Sequence, residues 1–402
     1  MIFDDNTLYN IQSAVPGTRY SLFDLAVWKN GLPFKKINFS ETGVPVIKIA
    51  ELNNGIGGTT AYTNQTFSEE VHLHRGDLLF SWSGNPETSI DVFRFNLEEG
   101  WLNQHIFKVT PNEEIVDRDF FYFLMKNLKP HFTQIATNKQ TTGLGHVTIA
   151  DIKRMSVVLP SLDEQRKIVS YIKPVDDKIT LNQQINDNLL EQAQNIFTQE
   201  FLMLDTIPDG WQESSLLGIA DYLNGLAMQK YRPKDDEQVL PVLKIKELRQ
   251  GFCDSNSELC SPSIKPEYIV HDGDVIFSWS GSLLVDLWCG GTCGLNQHLF
   301  KVTSSTYDKW FYYAWTNHHL QKFAAIAADM ATTMGHIKRE ELAKAEVLIP
   351  SQSDYDRIGG LLAPLYDLVI ANRIENRKLA SLRDELLPQL MSGQLDVSEV
   401  SL

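Results

Sequence analysis

Short apolar runs bounded by glycine and proline alternate along this chain with longer segments of helical spacing, and the whole alternation occurs twice. Val44 to Ile49, Asp77 to Trp82 and Ile106 to Val109 are β-branched or aromatic runs of strand length, which predicts strands. Asp119-Phe-Phe-Tyr-Phe-Leu-Met-Lys126 and Trp310-Phe-Tyr-Tyr-Ala-Trp315 predict buried helices, each followed by a second short one. Their aromatics read as core rather than as platforms for bases. After Pro160 and Pro350 the character changes to long, polar and helical. Ile168, Ile172, Val175 and Ile179 lead to Asn182 and Asn186, then to Leu189, Ala193 and Ile196, in steps of four and three. That is a coiled-coil seam with two polar interruptions. Asp367, Asn372, Asn376 and Leu379 repeat Asp177, Asn182, Asn186 and Leu189 at an offset of 190. Pro174 and Pro364 also align, so both helices are expected to kink or restart there.

The repeat extends through the globular segments. Gly76-Asp-Leu-Leu-Phe-Ser-Trp-Ser-Gly84 returns as Gly273-Asp-Val-Ile-Phe-Ser-Trp-Ser-Gly281, and Leu102-Asn-Gln-His-Ile-Phe-Lys-Val-Thr110 as Leu295-Asn-Gln-His-Leu-Phe-Lys-Val-Thr303. Asn30-Gly-Leu32 matches Asn224-Gly-Leu226, Pro45-Val-Ile-Lys-Ile49 matches Pro241-Val-Leu-Lys-Ile245, and Gly145-His146 matches Gly335-His336. The offset drifts from 194 to 197, then to 193 and 190, as insertions in loops would make it. A repeat of about 190 residues is a duplicated domain rather than a solenoid unit. The expected layout is a first domain at 1–160, a central helix at 161–205, a second domain at 206–350 and a C-terminal helix at 351–402. The fold class is α+β: two homologous mixed domains in tandem, separated and joined by two long helices forming an antiparallel coiled coil.

Matching asparagines on the two seams predict that the helices pair with each other, with Asn182 and Asn186 against Asn372 and Asn376. Each helix beyond its proline has about 27 residues, roughly 40 Å. One turn of duplex DNA is about 34–36 Å, so the pair would serve as a ruler between two reading heads.

Composition narrows the partners. A hydrophobic fraction of 43% over 402 residues is ample for real cores. No apolar run reaches the roughly 18 residues of a membrane span, and the start Met1-Ile-Phe-Asp-Asp5 lacks a basic leader, so a cytoplasmic protein without membrane contact is expected. All four cysteines (Cys253, Cys260, Cys289, Cys293) lie in the second copy. A zinc site shared by both copies is excluded, and no metal is expected, since these spacings match zinc ribbons poorly. The net charge of −15 weighs against nucleic acid, but only a local basic face is required. Lys48 with Lys244 and Lys246, Lys108 with Lys301, and the group Lys126, Lys129, His131, Lys139 with His318, His319, Lys322 are candidates for it.

Together these strings resemble a known family. Leu162-Asp-Glu-Gln-Arg-Lys-Ile168 with Asp176-Asp-Lys-Ile-Thr-Leu-Asn182 resembles the central helix of type I restriction–modification specificity subunits, and Leu386-Leu-Pro-Gln-Leu-Met-Ser-Gly-Gln-Leu395 resembles their ending. The Asn-Gly-Leu, Pro-Val-Ile-Lys-Ile, Ser-Trp-Ser-Gly and Leu-Asn-Gln-His strings resemble their target-recognition domains, in the same order over nearly the whole chain. Asp354-Tyr-Asp-Arg357 departs from the Glu-Gln-Arg start in the second helix. The resemblance implies a non-catalytic chain that reads a bipartite, asymmetric sequence in double-stranded DNA, one part per domain. It also implies two adenine methyltransferase subunits as partners, with motor–nuclease subunits joining for cleavage. S-adenosylmethionine would sit on the methyltransferase, and no cofactor is expected on this chain. The residues agree: there is no Asn-Pro-Pro-Tyr/Phe string and no Gly-Lys dipeptide of a phosphate loop.

Candidate DNA contacts follow from chemistry. Asn and Gln bond adenine bidentately and Lys meets guanine or phosphate. Asn103, Gln104 and His105, with Asn296, Gln297 and His298, offer such groups at the mouth of a strand; the alternative is that each trio caps a turn. Ser81, Ser83 and Gly84, with Ser278, Ser280 and Gly281, precede the most divergent stretches, Asn85 to Gly100 and Ser282 to Gly294, where serines could reach phosphate. Trp82 and Trp279 read as core. Thr141, Thr142 and His146, paired with Thr332, Thr333 and His336, are phosphate candidates in polar loops, with ordinary turn chemistry as the alternative. Two rival readings are a hydrolase using Ser83 with His105 and Ser280 with His298, which lacks a third member, and a scaffold whose heads bind protein.

Overall fold

The computed structural model describes residues 9–11, 17–140, 143–329 and 337–395. They form two compact units, one from the residues up to Asp176 with those from Ser381 onward, the other Asp177–Ala380. In the first unit, strands Ala26–Asn30, Ile106–Pro111, Leu78–Ser81 and Asp91–Arg94 lie side by side in that order, all antiparallel. A second sheet runs Tyr62–Thr63, Val44–Ile47, Glu99–Leu102, His72–His74, with its central pair parallel. Helices Arg118–Asn127 and Lys129–Asn138 follow. The Asp117 carboxylate starts the first of them by accepting from the backbone N–H of Asp119 and Phe120 at 3.0 Å, a helix N-cap. Phe80, Phe121 and Phe132 are buried in the main core of this unit.

The second unit repeats both sheets in the same order. Asp221–Asn224, Leu299–Thr303, Val275–Ser278 and Leu284–Leu287 form one; Leu259–Cys260, Leu240–Leu243, Cys293–Leu295 and Ile269–Val270 form the other. Register is repeated too: Asn30 pairs with Phe107 and Asn224 with Phe300. Phe277, Phe311 and Phe323 occupy the core places of Phe80, Phe121 and Phe132. A one-residue slip would turn each strand inside out, so identical register means identical inward-facing positions.

The long helices are Leu162–Phe197 and Gln352–Ser392. Each continues through its proline, Pro174 and Pro364, without restarting, contrary to the restart considered from sequence; the cost is one N–H missing from each ladder. Ile168 and Ile172 join Leu387, Leu390 and Met391 in the first unit's core, and Ala193 and Phe197 join Ile358, Leu362 and Tyr366 in the second's. Within the second unit the seam is antiparallel. Asn182 Nδ2 donates to Asn376 Oδ1 at 2.8 Å, and Asn372 Nδ2 donates to Asn186 Oδ1 at 2.9 Å. The expected ladder of four asparagines is present.

Candidate nucleic-acid interface

Each unit folds its repeated strings into one junction. The Asn-Gly-Leu segment leaves the first sheet and crosses the Leu-Asn-Gln-His turn so closely that a Cβ on Gly31 would lie 2.2 Å from Asn103 O, and one on Gly225 2.2 Å from Asn296 O. Only glycine fits such an approach. Backbone bonds then lock it: Leu32 N–H donates to Leu102 O and Gln104 N–H to Leu32 O at 2.9 and 3.0 Å, and Leu226 and Gln297 repeat this with Leu295 and Leu226 at 2.9 and 2.8 Å. The indole N–H of Trp82 donates to Asn30 Oδ1 at 3.1 Å, and that of Trp279 to Asn224 Oδ1 at 3.0 Å. Each half-buried indole packs on the core and lies near a histidine: the Trp82 and His105 ring centroids are 5.5 Å apart, those of Trp279 and His298 6.0 Å.

This geometry sorts the expected contact residues. Asn103 and Asn296 are only 8% and 7% exposed; they belong to the turn, as the capping alternative held, and offer little to a ligand. Ser81 and Ser278 are wholly buried, a correction to their expected role at phosphate. Both faces of their strands are buried, and Ser278 Oγ donates to the carbonyls of Ser280 and Ser282 at 3.3 and 3.1 Å. Ser280, expected at phosphate too, is itself only 5% exposed. Gln104 and Gln297 are half-buried, His105 and His298 exposed, and within each pair the amide and ring nitrogens lie 3.2 and 3.4 Å apart. Ser83 and Gly84 are half-exposed and pair with His146 and Gly145 in a short antiparallel ladder. Thr141, Thr142, Thr332, Thr333 and His336 lie outside the described residues.

Each divergent stretch contains a core strand, so the loop within it is short. Ser81 pairs with Asp91 and Ser278 with Leu284, so nine residues (82–90) span the first hairpin and five (279–283) the second. The four-residue difference equals the change of offset from 197 to 193. The hairpin tips, unlike in length and sequence, lie beside the Trp, Gln and His of the junction. Gly84 there has φ +126° and Gly281 φ +66°, backbone that L side chains rarely adopt.

The expected basic face largely dissolves into structural ion pairs. Lys108 meets Asp77 and Lys301 meets Asp274, both at 2.8 Å. Lys126 and Lys129 both hold Asp91, at 3.0 and 2.6 Å, and Lys139 holds Asp151. Burial lowers the pKa of His131, and burial with His319 and Lys322 nearby lowers that of His318. Lys244 is paired with Glu258, and Lys246 with Asp254 at 3.0 Å. Lys48 instead lies 5.2 Å from the Phe39 ring centroid. The hydrolase alternative gains a single contact, Ser280 Oγ to His298 Nδ1 at 3.2 Å. Its other ring nitrogen faces the Gln297 amide rather than a carboxylate, so no triad forms there.

Comparison with known proteins agrees with this arrangement. A family model described as "Type I restriction modification DNA specificity domain" matches residues 18–191 and again 208–382. The MjaIX specificity subunit of a type I restriction enzyme from Methanocaldococcus jannaschii is 23% identical over 321 residues, covering 74% of this chain and 73% of its own. The HindI specificity subunit from Haemophilus influenzae is 19% identical, covering 80% and 87%. The crystal structure of a type I S subunit from M. genitalium superposes with a TM-score of 0.50 at 13% identity over 96% of this chain and 98% of that one, a likeness of fold. No helix among the described residues is long and apolar enough to cross a membrane. The chain belongs to the type I restriction–modification DNA specificity family, and it is a recognition chain rather than an enzyme.

Proposed function

We propose that the two units read the two parts of a bipartite, asymmetric sequence in double-stranded DNA. In this reading the long helices carry two adenine methyltransferase subunits, and motor–nuclease subunits join for cleavage. S-adenosylmethionine binds the methyltransferase, and the assembly works in the cytoplasm. The observation that carries the reading is one junction built twice with unlike hairpin tips beside it. A common frame bearing different loops suits recognition of two different short sequences. Gln104, His105, Ser83, Gly84 and His146 face the DNA in the first domain, with Gln297, His298 and Gly281 in the second; bases are chosen by residues 85–89 and 282–283. Lys48, Lys244 and Lys246 contact phosphate, the latter two by exchanging their carboxylate partners.

With few unpaired cations at the junctions, the isolated chain should bind duplex weakly and with a shallow salt dependence, and the methyltransferase should supply much of the affinity. Co-expression with a cognate methyltransferase and mapping of methylated adenines across the host genome tests the reading. A split motif with a fixed gap, in which replacing residues 206–350 changes one part alone, is expected. A stable complex that adds no methylation would overturn it in favour of a scaffold.

A further inference from the structure

The second sheet of the first unit carries a side-chain cluster that the recognition junction does not use. His72 and His74 are alternate residues of one strand, with Leu73 buried between them, so both imidazoles stand on the outer face. Glu69 lies in the turn entering that strand, and Glu99 is directly across from His74 on the neighbouring strand. His72 Nδ1 is 3.4 Å from Glu69 Oε2, His72 Nε2 is 3.2 Å from Glu99 Oε2, and His74 Nε2 is 3.8 Å from Glu69 Oε1. The His72 ring lies stacked on Trp101, centroids 4.4 Å apart and planes 20° apart. That stacking fixes its plane.

A neutral imidazole donates through one nitrogen only. With a carboxylate at each nitrogen of His72, a neutral ring leaves one of them facing a lone pair, and a second proton or a metal cation at that nitrogen removes the conflict. We propose that Glu69, His72 Nδ1 and His74 Nε2 bind a zinc ion, while Glu99 accepts the proton on His72 Nε2. Two imidazoles and one carboxylate suit zinc and its first-row neighbours rather than magnesium or calcium. A carboxylate behind a ligating histidine fixes its tautomer and raises its basicity. Zinc–ligand bonds of about 2.0–2.2 Å place tetrahedral ligand atoms about 3.4 Å apart, the Glu69–His72 separation already present. The three ligand atoms lie within 4.8 Å of one another, so the widest gap closes by about 1.4 Å at most. Glu69 and His74 are the exposed members (side chains 77% and 53% exposed, against 17% for His72) and can make that movement. The fourth position opens to water.

The cluster has no equivalent in the second unit. Ile269 stands in place of His72, and Thr292 in place of Glu99, across from His271. The strand that bears Glu99 ends at Leu102 and runs directly into Asn103, Gln104 and His105. A zinc ion here would brace the strand that presents the first junction and leave the second untouched.

The test is equilibrium dialysis of the chelator-stripped full chain against zinc chloride, with the metal counted by elemental analysis. One zinc per chain is expected. His72→Ala and His74→Ala should each weaken binding more than tenfold, and Glu99→Gln about 10- to 100-fold. Cys253→Ser, Cys260→Ser and Cys293→Ser combined should leave it unchanged. Cobalt in place of zinc should show no thiolate charge-transfer band. Circular dichroism of each metal-free variant, compared with the metal-free parent, separates lost ligands from lost folding. Failure of the parent to retain zinc, retention unchanged in both histidine variants, or loss on cysteine replacement would each overturn the proposal.

Discussion

Where the first long helix meets its unit, Gln165 is fully buried; its Oε1 accepts from Asp117 N–H at 2.8 Å, and its amide donates to the carbonyls of Ile115 and Pro160 at 3.2 and 2.9 Å. Where the second long helix meets the other unit, Tyr355 stands in that position and its hydroxyl accepts from Asp308 N–H at 2.7 Å. Both acceptors hold the residue preceding an aromatic helix, Arg118–Asn127 or Lys309–His318. The same backbone donor is satisfied by an amide in one unit and a phenol in the other, which explains how Asp354-Tyr-Asp-Arg357 can depart from the first helix without changing the frame. The edge strands are secured at different positions, since Leu284 stands in the place of Asp91 and Asp286 in that of Phe93. Asp91 is gripped by Lys126 and Lys129 from the short helices, whereas Asp286 takes Arg373 from the long one at 2.7 Å. Backbone geometry recurs, and the side chains that secure it are replaceable.

The strongest way to break this comparison is at the glycine crossing. Gly31→Val and Gly225→Val each drive side-chain atoms into a carbonyl that a lone Cβ would already meet at 2.2 Å. Each should cost about 3 kcal/mol or more and loosen its own unit, as hydrogen exchange resolved by unit would register. A large effect in one unit alone would mean that the two junctions are not equivalent. Helix entry sharpens it next. Gln165→Leu strands three buried backbone groups and should cost about 3 kcal/mol, whereas Tyr355→Phe removes one acceptor and should cost about 1 kcal/mol. Equal losses in urea unfolding would show that the two further bonds of the Gln165 amide add nothing to the task it shares with the Tyr355 phenol.

The seam carries matching asparagines from both copies. Asn186→Leu leaves the Asn372 amide without its acceptor and should destabilise by about 2 kcal/mol. Adding Asn372→Leu should recover most of that while relaxing register, seen as broadened or concentration-dependent species in sedimentation. Recovery with a single sharp species would show that the asparagines do not specify the pairing.

These helices were legible in the sequence because their signal is local and periodic: Asn182 and Asn186 fall on a seam that can be counted off the chain, and the repeat supplied their partners. Strands at Val44–Ile47 and Leu78–Ser81 were legible for the same reason. Side-chain partners were not. Lys126 reads as a free cation until the register of a strand 35 residues away brings Asp91 beneath it. Asn103 reads as an exposed recognition group until the Gly31 crossing covers it. Glu69, His72 and His74 are close along the chain, but Glu99 joins them only through its cross-strand pairing with His74, which no spacing rule encodes. Local pattern specifies elements, and nonlocal packing decides which polar groups remain free.

The smallest expected effect is one of acid. Burial opposes ionisation of Asp91, but Lys126 and Lys129 outweigh it and hold the carboxyl below its ordinary value of 3.8. A carboxyl with a lower pKa folded than unfolded contributes stability that is present above about pH 4 and lost as pH falls through the folded value. The first unit should therefore lose stability below about pH 4 from this group. Asp91→Asn should be less stable than the parent at neutral pH, because two lysines lose their partner, and the gap should narrow as the medium is acidified below about pH 4. Urea midpoints for parent and variant, measured across that range, would follow the convergence. Parallel curves would assign the Asp91 contribution to shape and hydrogen bonding rather than charge. The first unit's edge strand would then be secured in a way that the Asp286–Arg373 pair of the second need not share.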